Sequence, residues 1–97
     1  MIESVKWTKR AAKSFDKIVE YITNEWSEKV ANKFILKVKE FISSLQKQPK
    51  TGKIALEEKG IRGFVLSRHT TVYRIKNNQI ILLNFFDNRQ NPNKKRL

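Results

Sequence analysis

The side chains that could do chemistry lie in the last third of the chain, between Ile61 and Leu97. This segment carries eight Lys or Arg residues against one acid, Asp87, and it holds His69, the one histidine of the chain. Metal-free cleavage of RNA requires a base for the 2′-hydroxyl, an acid for the leaving oxygen and a cation for the charge on the phosphate. The segment supplies residue types suited to each of these roles.

The candidate catalytic residues follow from what each side chain offers. Histidine changes its charge near neutral pH, so His69 could act as an acid or a base. The guanidinium fork of arginine matches phosphate oxygens, so Arg68 and Arg89 could hold a phosphate beside it. Further candidates for a base or a hydrogen-bond donor are Glu57, Glu58 and Tyr73.

Other cations of the segment are suited to binding an anion or a partner. Arg62 and Arg74 lie in predicted strands, where arginines among apolar residues indicate a contact face. Because strand side chains alternate between faces, Arg74 should point to the open side of the sheet if Tyr73 and Ile75 face the core. The tail residues that could contact phosphate without sequence preference are Lys94, Lys95 and Arg96.

Several of these residues also have a purely structural interpretation, which the sequence leaves open. His69 falls at the expected turn between two strands, where a lone histidine is usually an exposed turn residue. Tyr73 lies in mid-strand with Ile75 on the same side, a pattern typical of a core residue. Glu57 and Glu58 belong to a polar loop and could simply keep it solvated.

The composition of the chain limits the class of protein. Its 97 residues predict one domain, 1–97, in which residues 88–97 form a basic tail. A formal net charge of +12 favours a nucleic acid, a nucleoprotein or an acidic protein as partner. With no cysteine and one histidine, the sequence predicts no disulfide, no metal site and no cofactor. No apolar stretch reaches the ~20 residues of a membrane span, so we expect a cytoplasmic protein without a membrane partner.

Two amphipathic helices are predicted after a short first strand, Ile2–Trp7. Thr8 is the expected N-cap of the first helix, whose apolar stripe continues as far as Trp26. Ser27 is the expected N-cap of the second helix, which ends before Pro49 because a proline disfavours helix in the residue before it. The short link between the helices predicts an antiparallel hairpin, whose apolar faces need a sheet to cover them.

The second half predicts that sheet. A polar loop, Pro49–Gly60, comes first, and Ile54 and Leu56 could fix it to the core or add a brief strand. The predicted strands are Arg62–Ser67, Thr70–Lys76 and Gln79–Phe86, with a tight turn at Asn77 and Asn78. We therefore expect an α+β domain in which the N-terminal strand, the helical hairpin and a three-strand antiparallel meander form one sheet packed on the helices. The first strand should rejoin the sheet beside the last.

This order of elements resembles the RelE/ParE superfamily of toxins from type II toxin–antitoxin systems. The resemblance covers nearly the whole chain and rests on the opening VKWTKRAAKSFDKIVEYI, the helix end LQKQPKTGK, the stretch RGFVLSRHTTVYRIKNNQIILLNFF and the exit DNRQNP. It implies a toxin that arrests growth and is held inactive by an antitoxin whose acidic segment wraps around it. Such a segment would bind the open face of the sheet and the first helix.

The superfamily implies two unlike activities. RelE-like members cut mRNA in the ribosomal A site, and this metal-independent endoribonuclease activity is the leading expectation, with the ribosome and mRNA as partners. ParE-like members inhibit DNA gyrase and are not nucleases, and a basic binding module without activity is a third alternative. The chain departs from the RelE-like pattern because no aromatic residue follows Phe86 and because Thr70 and Thr71 stand where an arginine is frequent.

Each predicted helix also carries three lysines at four-residue spacing. They are Lys9, Lys13 and Lys17 in the first helix and Lys29, Lys33 and Lys37 in the second. Like charges at this spacing repel each other and weaken a helix. The two ladders could face ribosomal RNA or acidic antitoxin residues, or they could be solvated surface.

Overall fold

A computed structural model describes residues 4–56, 59–66 and 68–87. Within these residues, two helices and five strands follow one another. They are β1 (Ser4–Trp7), α1 (Lys9–Glu25), α2 (Glu28–Lys47), β2 (Lys53–Leu56), β3 (Ile61–Leu66), β4 (His69–Lys76) and β5 (Gln79–Asp87). No helix among the described residues is long and apolar enough to cross a membrane.

Both predicted helix caps are confirmed. The Thr8 hydroxyl accepts a hydrogen bond from the N–H of Ala11 at 3.1 Å, and the Ser27 hydroxyl accepts one from the N–H of Val30 at 3.1 Å. Each bond satisfies a backbone donor that the first helical turn leaves without an intrahelical partner. The prediction was wrong at Trp26, which caps the C-terminus of α1 and is 62% exposed instead of extending the buried stripe.

The strands form one sheet in the order β1-β5-β4-β3-β2. β1 pairs in parallel with β5, which confirms that the first strand rejoins the sheet beside the last. The other neighbours are antiparallel. The meander therefore has four strands instead of the predicted three, because Lys53–Leu56 of the expected loop pairs with β3 as an edge strand.

The turn between β4 and β5 is built as predicted. Asn77 and Asn78 have φ values of 51° and 61°. These left-handed conformations match the twist of a two-residue hairpin, and asparagine adopts them more readily than most residues. The register shifts once between these strands, at Val72 and Tyr73, so β5 carries an extra residue there.

The core lies between the helical hairpin and one face of the sheet. The sheet contributes Tyr73, Ile80, Leu82 and Phe85 to it, each no more than 3% exposed. The helices contribute Ala11, Ile18, Ile22, Ala31, Phe34, Val38, Phe41 and Leu45. Arg74 pairs with Ile61 and Ile81 on the opposite face, as strand alternation predicts.

Candidate functional site

His69 lies at the end of the sheet where β4 begins and β5 ends. It is paired across the sheet with Asp87, and its Nε2 is 3.9 Å from the Asp87 Oδ2. The ring centroid of His69 is 4.5 Å from that of Phe34 on α2. The expectation of an exposed turn residue was wrong, because the His69 side chain is only 8% exposed. β4 begins one residue earlier than predicted, so His69 shares the helix-facing side with Thr71 and Tyr73.

A groove of about 380 Å³ opens between this end of the sheet and the turn of the helical hairpin. We call it the hairpin groove and define it by Trp26, Val30, Lys33, Lys37, Arg68 and His69. Trp26 and Val30 are 62% and 41% exposed, an unusual setting for large apolar side chains that are neighbours. Of the described residues, three cations and no acid line the groove, so it presents apolar surface within a positive rim.

The hairpin groove joins two of the predicted catalytic residues. Arg68 is exposed and His69 is buried in its floor, so an anion held by Arg68 would lie near the histidine ring. The third predicted member, Arg89, lies outside the described residues. Also outside them are Glu57, Glu58, Lys94, Lys95 and Arg96.

Tyr73 lies toward the other end of β4, in a set of contacts that we call the Tyr73 clamp: Tyr73, Pro49, Gly52 and Arg62. The Tyr73 hydroxyl donates a hydrogen bond to the carbonyl of Pro49 at 2.8 Å and accepts one from the N–H of Gly52 at 2.9 Å. Arg62 donates to the carbonyl of Gly52 at 2.7 Å. The clamp fixes the connection from α2 to β2 onto the sheet.

The surroundings of the clamp keep its phenol protonated. Burial raises the pKa of Tyr73, against the smaller lowering effects of the Gly52 N–H and the charge of Arg62. Gly52 has no room for a side chain, since a Cβ would be 2.8 Å from the Tyr73 hydroxyl and 3.0 Å from the Gly63 carbonyl. Tyr73 and Arg62, predicted as candidates for catalysis and for binding, therefore have defined structural contacts.

The two groups of candidates do not form one site. Tyr73 is four residues beyond His69 in the same strand, a separation of about 13 Å at the usual rise per residue. One phosphate cannot contact both side chains. Among the described residues, no group of three or more His, Cys, Asp or Glu side chains could hold a metal ion.

The face of the sheet that points away from the helices has a smaller cavity of about 240 Å³. Its lining is mainly apolar and includes Ile61, Val72 and Phe86. Arg74 lies on this face opposite Ile61, and its Nε is buried without a hydrogen-bond partner among the described residues. The position of Arg74 agrees with the prediction that it faces away from the helices.

The contribution of the helices to the hairpin groove was not predicted from the sequence. The sequence predicts Trp26 as the end of an apolar stripe, and it predicts Lys33 and Lys37 as part of a lysine ladder. These three residues and Val30 all lie around the link between the two helices. At such a link the apolar stripe of a helix can extend beyond the edge of the sheet that covers the rest of the stripe. The available signal in the sequence was one large apolar residue on each side of the predicted cap at Ser27, namely Trp26 and Val30.

The sequence model of a family described as the ParE toxin of type II toxin-antitoxin systems, parDE, matches residues 5–92. The fold is similar to that in a chromosomal ParDE toxin–antitoxin system of P. aeruginosa, with a TM-score of 0.74, 24% identity, and coverage of 89% of this chain and 96% of that one. The fold is also similar to that in the RelBE2 toxin–antitoxin complex of Mycobacterium tuberculosis. The TM-score is 0.61 at 15% identity, and the alignment covers 90% of this chain and 99% of that one.

A third solved structure with this fold is that of a conserved protein of Helicobacter pylori. The TM-score is 0.54 at 24% identity, and the alignment covers 88% of this chain and 92% of that one. No curated protein sequence gives a significant match. The match to the solved structures supports the order of strands and helices seen here.

Proposed function

Since the chain belongs to the ParE toxin family of type II toxin–antitoxin systems, we propose that it arrests growth by binding a protein target, DNA gyrase, without cutting RNA. Gyrase is the target that the ParE-like side of the superfamily implies. The observation that carries the proposal is the burial of His69, whose side chain is 8% exposed between Phe34 and Asp87. A general acid must come within hydrogen-bond reach of the leaving oxygen.

Tyr73 supports the same proposal. Its hydroxyl is engaged on both sides, with the Pro49 carbonyl and with the Gly52 N–H, and the side chain is 0% exposed. An RNA substrate would have to break these bonds to receive a proton from it. Of the described candidates, His69 and Tyr73 thus face the interior, whereas Arg68 is an exposed cation suited to binding.

The proposal is tested with purified toxin and purified gyrase in a DNA supercoiling assay. We expect an excess of toxin to abolish supercoiling, and we expect Arg68→Ala to weaken inhibition if the groove meets the target. Lys47→Ala, an exposed cation at the far end of α2, is the matched control. Full supercoiling at saturating toxin would overturn the proposed target.

The neutralising partner that we propose is an antitoxin with an acidic segment. The solved relatives in P. aeruginosa and Mycobacterium tuberculosis are described as toxin–antitoxin assemblies. We place this segment in the hairpin groove and not on the sheet face and first helix that the resemblance implied, because Trp26 and Val30 offer apolar contact and Lys33 and Arg68 offer charge. Aromatic residues in partly buried pockets typically contribute most of the affinity of an interface.

The test of this partner uses the product of the adjacent reading frame. Coexpression should yield a complex that copurifies with the toxin and suppresses growth arrest. Trp26→Ala should weaken the complex, whereas Leu36→Ala, an exposed residue of α2 outside the groove, should not. Failure of the two proteins to associate would contradict the proposed partner without bearing on the gyrase assay.

Ribosome-dependent cleavage of mRNA remains a second candidate. The observation that favours it is the joint position of Arg68 and His69 in a groove with Lys33 and Lys37. It predicts that transcripts are cut when the toxin is expressed and that His69→Gln abolishes the cuts while the fold persists. Intact transcripts in arrested cells would exclude it.

A further inference from the structure

The charged residues at the ends of α1 do not complement the helix dipole, whereas those at the ends of α2 do. The first turn of α1 has no acid, and its last turn has no base. α2 has Glu28 in its first turn and Lys47 in its last. Because the N-terminus of a helix is the positive end of its dipole, Lys9 and Arg10 at the start of α1 are unfavourable for folding. A local conflict of this kind often marks a functional surface.

The cations of α1 lie along one trough. It has a volume of about 460 Å³ and is lined by Lys9, Arg10, Lys13, Ser14, Lys17 and Asn84. None of these four cations forms an ion pair with a carboxylate of the described residues. Their charge is therefore available to an external anion. We call this surface the α1 trough.

The α1 trough adjoins the apolar cavity on the open face of the sheet. The two depressions share Arg10 and Asn84, and the cavity continues over Val72 and Phe86. The Asn84 Oδ1 accepts a hydrogen bond from the N–H of Phe85 at 2.9 Å, so its amide NH₂ can donate to a ligand. The combined surface offers a line of cations beside an apolar slot, with the amide of Asn84 between them.

We propose that this surface binds single-stranded nucleic acid, with phosphates along Lys9, Lys13 and Lys17 and an unstacked base in the slot against Phe86. Four residues of helix advance about 6 Å, so the three lysines form a regular line that suits a repeating backbone charge. Cations that follow the backbone, together with an aromatic side chain that stacks on a base, are the usual means of binding single strands.

The combination of trough and slot favours a nucleic acid over an acidic peptide. An acidic segment would satisfy the lysines, but it does not need a cavity of about 240 Å³ shaped by Ile61, Val72 and Phe86 beside them. The inference goes beyond the proposed toxin activity, because it requires neither gyrase nor an antitoxin. It assigns to the open side of α1 a contact that the hairpin groove does not provide.

The first test measures binding of a fluorescent, unstructured single-stranded oligonucleotide to the full chain by anisotropy at several salt concentrations. The variant K9Q/K13Q/K17Q should reduce the slope of log K against log salt by about 2, since each phosphate contact on a single strand contributes roughly 0.7. The control K29Q/K33Q/K37Q removes the same charge at the same spacing from α2. It should leave the slope close to that of the wild type.

An equal loss of slope in both variants would overturn the inference, because it would show attraction to net charge alone. So would an unchanged slope in the α1 variant. Circular dichroism should show that both variants stay folded. We expect no loss of stability in the α1 variant, since Lys9 opposes the helix dipole and the three lysines repel one another.

The second test separates a base from a peptide in the slot. Phe86→Leu should lower the affinity for the oligonucleotide roughly 5-fold or more while leaving the salt slope unchanged, because stacking on a base is largely independent of salt. Val65→Ala, at an exposed apolar residue outside the slot, is the control. Unchanged affinity in Phe86→Leu would contradict the inference, as would stronger competition from an acidic peptide than from an unlabelled strand of equal charge.

Discussion

At the Tyr73 end of the sheet, the phenol, the Gly52 N–H and the Arg62 guanidinium bond to partners within the protein. At the His69 end, cations and apolar surface are turned toward solvent around the hairpin groove. The difference arises from the connections. After α2 the chain folds back over Tyr73, whereas α1 and α2 join at Trp26 and leave the groove uncovered.

The Tyr73 clamp is thus expected to stabilise the fold, and the hairpin groove is the surface proposed to bind a partner. Substitutions in the Tyr73 clamp should change the free energy of unfolding, and they should affect partners only through the folded fraction. Substitutions in the hairpin groove should do the opposite, because exposed side chains contribute little to folding but can contribute much to an interface. The predictions below test whether the two regions are independent in this way.

The largest expected effect is on partner binding. Trp26→Ala should weaken the antitoxin complex by about 30-fold or more, the loss typical of an aromatic residue central to an interface. The free energy of unfolding should change by less than about 0.5 kcal/mol, since the side chain is 62% exposed. Calorimetric titration and urea unfolding measure the two quantities. A loss of stability comparable to the loss of affinity would remove the distinction between the regions.

The clamp should respond in the reverse manner. Tyr73→Phe leaves the N–H of Gly52 without its bond to the hydroxyl and should cost about 1–3 kcal/mol of stability. For a domain of this size, the melting temperature should fall by roughly 4–8 °C per kcal/mol. Tyr21→Phe is the control, because Tyr21 is partly buried without a hydrogen bond from its hydroxyl among the described residues. Similar melting temperatures for both variants would show that the clamp does not stabilise the fold.

The same phenol should make the protein sensitive to alkaline conditions. Burial raises the pKa of Tyr73 above its ordinary value of 10.0, so the unfolded chain loses this proton at a lower pH than the folded protein. Stability from this group is complete below pH 10 and declines as the pH rises toward the folded pKa. Comparison of urea unfolding at pH 8 and above pH 10 should show a smaller decline in Tyr73→Phe than in the wild type. An identical decline would assign it to other groups.

Arg62 should have a smaller effect than the tyrosine. Arg62→Met keeps the length of the side chain but removes the bond to the Gly52 carbonyl, and it should cost about 1 kcal/mol. Arg68→Met removes an exposed cation of the hairpin groove and should leave stability within about 0.5 kcal/mol of the wild type. Thermal melts of these two variants compare the two regions with the same substitution, arginine to methionine. Equal destabilisation would contradict the assignment of Arg68 to the binding region.

The order of elements was predictable because each had a local cause. Thr8 and Ser27 are side chains that cap helices, the apolar stripes set the helical faces, and the Asn77-Asn78 pair favours a tight turn. The place of β1 beside β5 was predictable from the need to cover the helices with one sheet, whereas the sequence did not predict their parallel direction. β2 was harder to predict because its apolar residues, Ile54 and Leu56, are too few to define a period.

The candidate site was less predictable, because exposure depends on where one element ends relative to another. His69 changed from an expected turn residue to a buried one when β4 began a single residue earlier. Trp26 changed in the opposite sense, since its place in an apolar stripe does not reveal that the sheet stops short of it. Arg68 was selected for its charge and its position beside His69, and both features still characterise the groove.

The most direct test of the account is the inhibition of purified gyrase by a folded His69→Gln variant. If His69 is a buried structural residue and the toxin acts by binding, the variant should abolish supercoiling at the same concentration as the wild type. The contrary result would be normal supercoiling in the presence of either protein, with mRNA cut on ribosomes by the wild type but not by His69→Gln. It would contradict a toxin that acts by binding gyrase.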